Sequence, residues 1–444
     1  WSPNPSNDSL IGPEPSGVPR ARRAREVRPP ARRWQHLWSS TNAGRRHLAG
    51  AVEVRWRWQQ LWLSTSGGRC HLAVWGGARW GGRWGRRRAA PALVLAYPAG
   101  VQPPHEHPEV DALLAAAVDA VAGGGALAEL DRLNALLDRG ALPVDPRLDE
   151  AMVALRHAAF AELDRRPGRP SWPPAFDDPF PGEVGIPSAA LAGLTAAVLG
   201  GALTHHGCLR VDGLLSEDEA ARFREHIDEA FAARERAEAA GSADDVGPAF
   251  VPFEVGQAKA RGFGAEGYVR AVDSPGALRE LAAAFARTGV TAVVTDYLGE
   301  RPSMIANKWV LRRSPTGKIG TDYHQDGAFL GEGIRTVDCW IALSHCGPGT
   351  GRPAIDLVAR RFPGIIPSPD DAAFPWSLTE QAVHDAAPDA PVLSPVFAPG
   401  DAIFFDELLP HRTTVGLDLT TRYAIESWFV APSSYPARHE PVVL

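Results

Sequence analysis

No run of apolar residues in this 444-residue chain approaches the roughly 18 that a membrane-spanning helix needs. The best apolar stretch near the N-terminus, Pro91 to Val101, is short and interrupted by proline, so no membrane span and no signal peptide are expected. Cysteine is scarce. Cys70, Cys208, Cys339 and Cys346 show no paired spacing, which argues against a disulfide framework and a cysteine-rich zinc site, and fits a reducing, cytoplasmic compartment. Lysine is missing altogether from the first 90 residues, where 17 arginines face only 4 acids. The chain as a whole carries a net charge of −6, so a basic N-terminal stretch is joined to a strongly acidic remainder. A chain of this length can hold two or three units, since a domain usually takes about 100–200 residues.

What the first 90 residues do contain is Pro, Gly, Ser, Arg and 9 of the 14 tryptophans. Neither a 3.6-residue nor a 2-residue apolar period is sustained there. One repeat is visible: Arg33 to Ala49 recurs as Arg57 to Ala73, with 12 of 17 positions identical. Two copies are fewer than the three or so a solenoid requires. A basic aromatic arm that touches nucleic acid or membrane is one reading. The reading preferred on composition is a disordered Arg/Trp-rich extension over residues 1–100, of the kind that translation of GC-rich sequence ahead of the true start would give.

Beyond Glu109 the pattern changes. Val110, Leu113, Leu114, Val118 and Val121 fall at helical spacing, Leu127 to Leu137 form a second amphipathic stretch, and Met152 to Leu163 a third. Residues 101–187 are therefore expected to be a helical region followed by a proline-rich linker. The main domain is expected over 188–444. It opens with a helix over Leu191 to Leu203 and a strand over Cys208 to Val211. A helix behind the capping box of Ser216 and Glu219 follows. Strand-like runs then cover Met304 to Arg312, Thr336 to Ser344, Ala402 to Phe405 and Arg422 to Val430. Helices first and many short strands after suggest a mainly β fold, a barrel or sandwich flanked by helices.

The chemistry gathers in this second half. In His324-Gln325-Asp326, residues two apart on a strand point to the same side, so an imidazole and a carboxylate would converge on one ion. Alone the signal is weak, and the chain repeats it as His226-Ile227-Asp228. That copy falls in the capped helix, where positions i and i+2 diverge by about 200°. His105-Glu106-His107 sits in a proline-flanked stretch and is expected to bind no metal. Downstream, the turn signal Pro399-Gly400-Asp401 precedes the buried strand Ala402 to Phe405, then His411, then Arg422. A turn centred near residues 416–417 would set His411 and Arg422 opposite each other across an antiparallel pair. Two histidines and one carboxylate on one face leave three positions open, the arrangement of non-haem iron(II) oxygenases. A 2-oxoacid fills two of them and O2 the third. The far carboxylate of 2-oxoglutarate then calls for a permanently charged, planar partner, which arginine is. His411 alone reads as well as a core histidine, and Arg422 alone as a strand-edge charge. The ordered combination is what outweighs those plainer readings.

These residues resemble the phytanoyl-CoA dioxygenase family, a branch of the iron(II)/2-oxoglutarate-dependent oxygenases, over roughly Ala190 to Pro432. The resemblance is carried by the capped helix after Gly207 to Val211, by Tyr323-His324-Gln325-Asp326-Gly327, by Trp340 to Leu343 with Gly347-Pro348-Gly349, and by Pro399-Gly400-Asp401, His411 and Arg422. It implies a double-stranded β-helix core of the jelly-roll, cupin-like type. It also implies an oxidoreductase that uses Fe(II), 2-oxoglutarate and O2, hydroxylates a small molecule, and releases succinate and CO2. By the same resemblance His324, Asp326 and His411 match the iron ligands and Arg422 the cosubstrate arginine. Thr413, Trp340 and Asn307 are expected on strands around the same pocket. Halogenating relatives lack the carboxylate, so Asp326 favours hydroxylation. The segment Asp356 to Arg361 departs from the family's usual Gly-Ser-His-like loop and leaves the substrate loop open.

Two readings of other classes stand beside the oxygenase. One is a metal- or ligand-binding barrel without turnover. The other, less favoured, is a nucleic-acid-associated protein using the Arg/Trp arm, whose salt-dependent binding would vanish on removal of residues 1–90. Lys308, Arg312 and Arg313 precede the iron motif and would suit an anionic substrate, although charges on strand surfaces are commonly solvated.

Overall fold

The computed structural model describes residues 107–165, 172–243, 246–255, 267–314, 322–331, 333–414 and 420–444, together with strand backbone between 55 and 74. The chain divides into two compact units at Gly50, and every described residue belongs to the second, Ala51–Leu444. Strands β1 (Arg55–Trp56), β2 (Gln59–Ser66) and β3 (Arg69–Val74) form an antiparallel ribbon. Ser66 pairs with Arg69. The ribbon falls inside the stretch expected to be disordered and takes up most of the second repeat copy. The first copy, and His105 and Glu106, lie outside the described residues.

Helices α1 (Pro108–Gly123), α2 (Ala126–Asp138) and α3 (Pro146–Ala159) correspond to the three amphipathic stretches. Proline opens α1 and α3, where its missing N–H costs nothing. The start of α2 is satisfied from a distance: Glu162 accepts from the N–H groups of Gly125, Ala126 and Leu127. Leu113, Leu114, Leu130, Leu133, Leu148 and Leu155 bury together, with Val443 from the far end of the chain among them.

The main body begins with β4 (Ser188–Ala190), α4 (Ala196–His206), β5 (Cys208–Asp212) and α5 (Glu217–Ala240). The helix expected from Leu191 starts later, at Ala196. Thr195 takes the cap position, and its hydroxyl accepts from the Val198 N–H. The Ser216–Glu219 capping box is present in both directions. Next come β6 (Tyr268–Arg270), α6 (Pro275–Arg287), α7 (Val290–Leu298), β7 (Ser303–Ile305) and β8 (Val310–Ser314). One expected strand, Met304 to Arg312, is thus two strands split by the turn at residues 306–308. The remainder comprises β9 (Tyr323–His324), α8 (Gly327–Leu330), β10 (Thr336–Ala342), β11 (Ile355–Val358), β12 (Ser377–Leu378), α9 (Glu380–Ala386), β13 (Val392–Leu393), β14 (Ala402–Phe405), β15 (His411–Thr413), β16 (Arg422–Val430) and β17 (Pro441–Val443).

Two sheets result. The larger runs β17-β7-β16-β10-β14-β5-β4, with β8 on β16 and β6 on β8; the smaller runs β12-β9-β15-β11-β13. Among the described residues no strand pair joins them, so the barrel alternative gives way to two open sheets. The larger sheet sorts its side chains with period two. Val337, Cys339 and Ile341 of β10, with Ile425 and Phe429 of β16, pack against α4 to α7 through Leu199, Phe223, Leu281 and Val294. Trp340, Ala342, Ala424, Trp428 and Val430 point the other way and share a second core with Ile355 and Leu357 of the smaller sheet. That second face is where the candidate site lies. No helix among the described residues is long and apolar enough to cross a membrane. Cys208, Cys339 and Cys346 are buried and unbonded.

Candidate metal centre

His324, Asp326 and His411 come together: each offers a ligand atom, and these atoms lie within 4.8 Å of one another. The two histidines face each other in the smaller sheet, where β9 pairs with β15 at exactly these residues' register, and their ring centroids are 4.4 Å apart. Asp326 does not arrive as the sequence suggested. The strand β9 ends at His324, and Asp326 has α-helical backbone angles (φ −65°, ψ −23°) at the start of α8. A strand-to-helix turn, not the pleat, brings its carboxylate to 3.6 Å from His324 Nε2. The middle residue fixes that turn. Gln325 is buried, donates to the carbonyls of Gly364 and Leu408, and accepts from the Ile366 N–H.

Each imidazole is oriented by its other nitrogen. His411 Nδ1 lies 3.0 Å from the Leu409 carbonyl and His324 Nδ1 lies 3.2 Å from that of Asp322. A carbonyl can only accept, so both Nδ1 atoms carry the proton and both Nε2 lone pairs are left for a ligand, the pattern metal-binding histidines use. Burial, and then the neighbouring His411, hold His324 down at about 4, which keeps its ring neutral at neutral pH. The Asp326 carboxylate is buried, and no described residue donates a hydrogen bond to it. A buried carboxylate without donors, facing two neutral imidazoles, suits a divalent cation.

The cluster opens into a cavity of about 620 Å³ whose walls include Arg422, Thr413, Trp340 and Asn307, within the range of about 300–1,000 Å³ usual for ligand sites. Trp340 lies on β10. Asn307 lies in the turn between β7 and β8 instead of on a strand, and its side-chain oxygen accepts from Arg270. Arg422 is 1 % exposed, at the start of β16. Its expected pairing with His411 is overturned. Arg422 stands opposite Ser314 of β8 in the larger sheet, whereas His411 stands opposite Leu357 and His324 in the smaller one. The chain changes sheets between them, so the two residues meet across the cavity and not along a hairpin. Arg422 donates to the Ala354 carbonyl and to Ser314 Oγ, and its Nε has no partner. Burial, with Arg312 nearby, pulls its guanidinium down to about 10, leaving it charged at neutral pH. An orphaned donor on a buried cation fits an incoming carboxylate.

Several cavity residues escaped the sequence reading. Glu426 and Trp428 follow Arg422 at positions i+4 and i+6 of the same strand, so period two would have found them. Burial alone would raise Glu426, but the fork from Arg312, at 2.6 and 2.9 Å, outweighs it and holds the carboxyl at about 2. Asp338 precedes Trp340 by two; burial pushes its carboxyl well above the usual range. Phe374 and Trp376 come from an irregular segment that carries no periodic signal. Of the three cations considered for an anionic substrate, Arg312 is taken by Glu426 and Arg313 by Asp228 and Glu235. The helical look-alike His226 pairs with Glu280, and Asp228 serves Arg313 and the Tyr423 hydroxyl. Asp356, at the start of the segment that left the substrate loop open, is buried in β11 and accepts from Ser394, Arg412 and Thr414.

No family profile and no curated protein matches the sequence. Among solved structures, the chain is similar to the epimerase SnoN in complex with Fe3+, alpha ketoglutarate and nogalamycin RO, at 19% identity and a TM-score of 0.35, covering 54% of this chain and 83% of that one. It is similar to AviO1 from Streptomyces viridochromogenes Tue57 at 18% identity and a TM-score of 0.35, over 55% and 98% of the two chains. EvdO2 from Micromonospora carbonacea var. aurantiaca, complexed with 2-oxoglutarate, is 17% identical with a TM-score of 0.34, over 55% and 90%. Likenesses this slight carry no argument about the chemistry of this site.

Proposed function

We propose that this protein is an iron(II)- and 2-oxoglutarate-dependent oxygenase that hydroxylates a C–H bond of a small molecule. One observation carries the reading: the His324, Asp326 and His411 cluster shares a cavity with a buried arginine that has a donor to spare. A plain metal-binding site would have no use for that arginine. The two facing sheets are read, in the same proposal, as a double-stranded β-helix of the phytanoyl-CoA dioxygenase type.

In this reading Nε2 of each histidine and one oxygen of Asp326 hold the metal, with the Nδ1 hydrogen bonds fixing the rings. Arg422 receives the far carboxylate of 2-oxoglutarate, helped by the Thr413 hydroxyl. Trp340, Phe405 and Trp428 on the cavity wall keep water from that end. Iron with 2-oxoglutarate and O2 supplies the oxidation, one oxygen atom entering the substrate and the other leaving in succinate alongside CO2. Asp326 occupies the ligand position that a halide would need, which is why hydroxylation is the reaction proposed.

The test is an anaerobic titration of iron(II) and 2-oxoglutarate into the purified chain, followed by the weak visible charge-transfer band of a chelated 2-oxoacid. The wild type should develop the band and His324→Ala should not. A folded, iron-loaded protein that never shows it would be a metal-binding protein without this cosubstrate.

A further inference from the structure

We propose that Lys308 anchors the substrate, and that the substrate therefore carries a carboxylate or phosphate on an apolar, ring-bearing body. This rests on the oxygenase reading of the same cavity and names its substrate class.

Lys308 stands in the turn between β7 and β8, and its side chain lines the cavity. Its ammonium sits 3.9 Å from the centroid of the Phe329 ring, a favourable but partial compensation for a cation. Among the described residues no carboxylate lies within ion-pair distance of it. The other cations on the cavity wall are committed. Arg312 is forked onto Glu426, Arg412 is held by Asp356 and Glu380, and Arg422 is the group that suits the cosubstrate. Of the acids, Asp326 belongs to the metal cluster, Glu426 to Arg312, and Asp338 accepts from the Ser427 N–H within the sheet. A divalent metal, Asp326, Arg422 and a dicarboxylate together are neutral. Among the described residues Lys308 is then left partly buried with no carboxylate in ion-pair contact: Glu426 is near enough to interact with it but is already forked onto Arg312, and desolvated charges are paired.

The wall beside the lysine sets the rest of the ligand. Phe374 stacks on Trp376 with centroids 4.9 Å apart and planes at 2°, and Trp376 meets Phe329 and His324 edge-on at 5.9 and 5.8 Å. Phe374 is 54% exposed, so this aromatic surface runs from the metal cluster out to solvent. An acid with an apolar ring matches a cation set in such a wall. A neutral polyol would leave the ammonium unpaired, and a cationic substrate would be repelled.

The experiment is isothermal titration of benzoate, phenyl phosphate and uncharged benzyl alcohol into the full chain, both metal-free and loaded anaerobically with iron(II) and saturating 2-oxoglutarate. Both anions should bind the wild type at least about tenfold more tightly than the alcohol, a margin appropriate to one partly buried charge pair. Lys308→Met should erase that margin and Lys308→Arg should keep it, each with unchanged near-ultraviolet circular dichroism. The affinity of Lys308→Met for 2-oxoglutarate should match the wild type. The proposal fails if the wild type shows no preference for the anions or if Lys308→Met retains it. It fails equally if that variant loses about tenfold in 2-oxoglutarate affinity, which would assign the lysine to the cosubstrate. Because the metal-free arm needs no iron, a Lys308-dependent preference without any charge-transfer band would sink the oxygenase reading alone.

Discussion

Arg422 is a charge set at the head of a strand whose next eight residues are otherwise largely apolar, and it is almost completely buried. Its two hydrogen-bond partners, a carbonyl and a hydroxyl, are neutral, so nothing in its direct contacts balances the charge. In the proposed function a carboxylate of 2-oxoglutarate does. Arg422→Ala should therefore leave iron(II) binding in place and weaken 2-oxoglutarate by roughly 2–5 kcal/mol, the cost of removing one member of a buried charge pair. Calorimetry on the iron-loaded variant reads this directly, and unchanged cosubstrate affinity would mean that another arginine has the role. At this scale the sequence was informative about which residues matter and less so about how they are held. His324 and Asp326 were legible from spacing, but the spacing was explained by a strand pleat, whereas Asp326 sits on a helical turn. The error is physical: a two-residue motif has no period of its own, and both geometries can bring i and i+2 to one ion.

Among the elements, the corner at Pro399-Gly400-Asp401 ties the larger sheet together. The Gly400 N–H donates to the Ala342 carbonyl and its own carbonyl accepts from Leu215. The Asp401 carboxylate accepts from the N–H groups of Gly213 and Ala398 and from Arg210. Gly400 has φ +95°, and a Cβ there would run into the Leu215 carbonyl, so both the backbone angle and the space require glycine. Gly400→Ala should destabilise the fold by roughly 3 kcal/mol or more, read as a lower urea midpoint; a loss below about 1 kcal/mol would show that the corner yields. Long strands such as Ala402–Phe405 and Arg422–Val430 were legible to the residue because β-branched and aromatic side chains repeat over four or more positions. The strands β9, β12 and β15, with two or three residues each, were not, since so short a run shows no alternation. They are nonetheless the strands that carry or pair with the two histidines. The expected hairpin between His411 and Arg422 failed for the same reason: nothing local records that the chain crosses from one sheet to the other.

For the molecule as a whole, the three N-terminal helices do not stand free: α3 is fastened to the last strand. Arg156 donates to the Val443 carbonyl, His157 faces the Pro441 carbonyl at 2.8 Å, and Asp149 pairs with Arg279 of α6. Val443 itself lies in the helical core. Helices and sheet should then open together, because neither can unfold without exposing the other's apolar face. Hydrogen exchange across a denaturant series should give peptides from α3 and from β10 the same opening free energy. Loss of protection in α3 at lower denaturant would make the helices an independent unit.

The sequence by itself determined the composition of the site and the strongest elements around it: two histidines, an aspartate and an arginine in a fixed order, a capped helix, and three apolar strands. These follow from side-chain chemistry and from periodicity, both of which act over neighbouring residues. Only the tertiary structure decided which sheet each residue joins, which cations on the cavity wall already have a carboxylate, and that Lys308 meets none among the described residues. Pairing of charges and closure of a cavity depend on residues brought together from distant parts of the chain, and no local pattern encodes the partner that arrives from the opposite sheet.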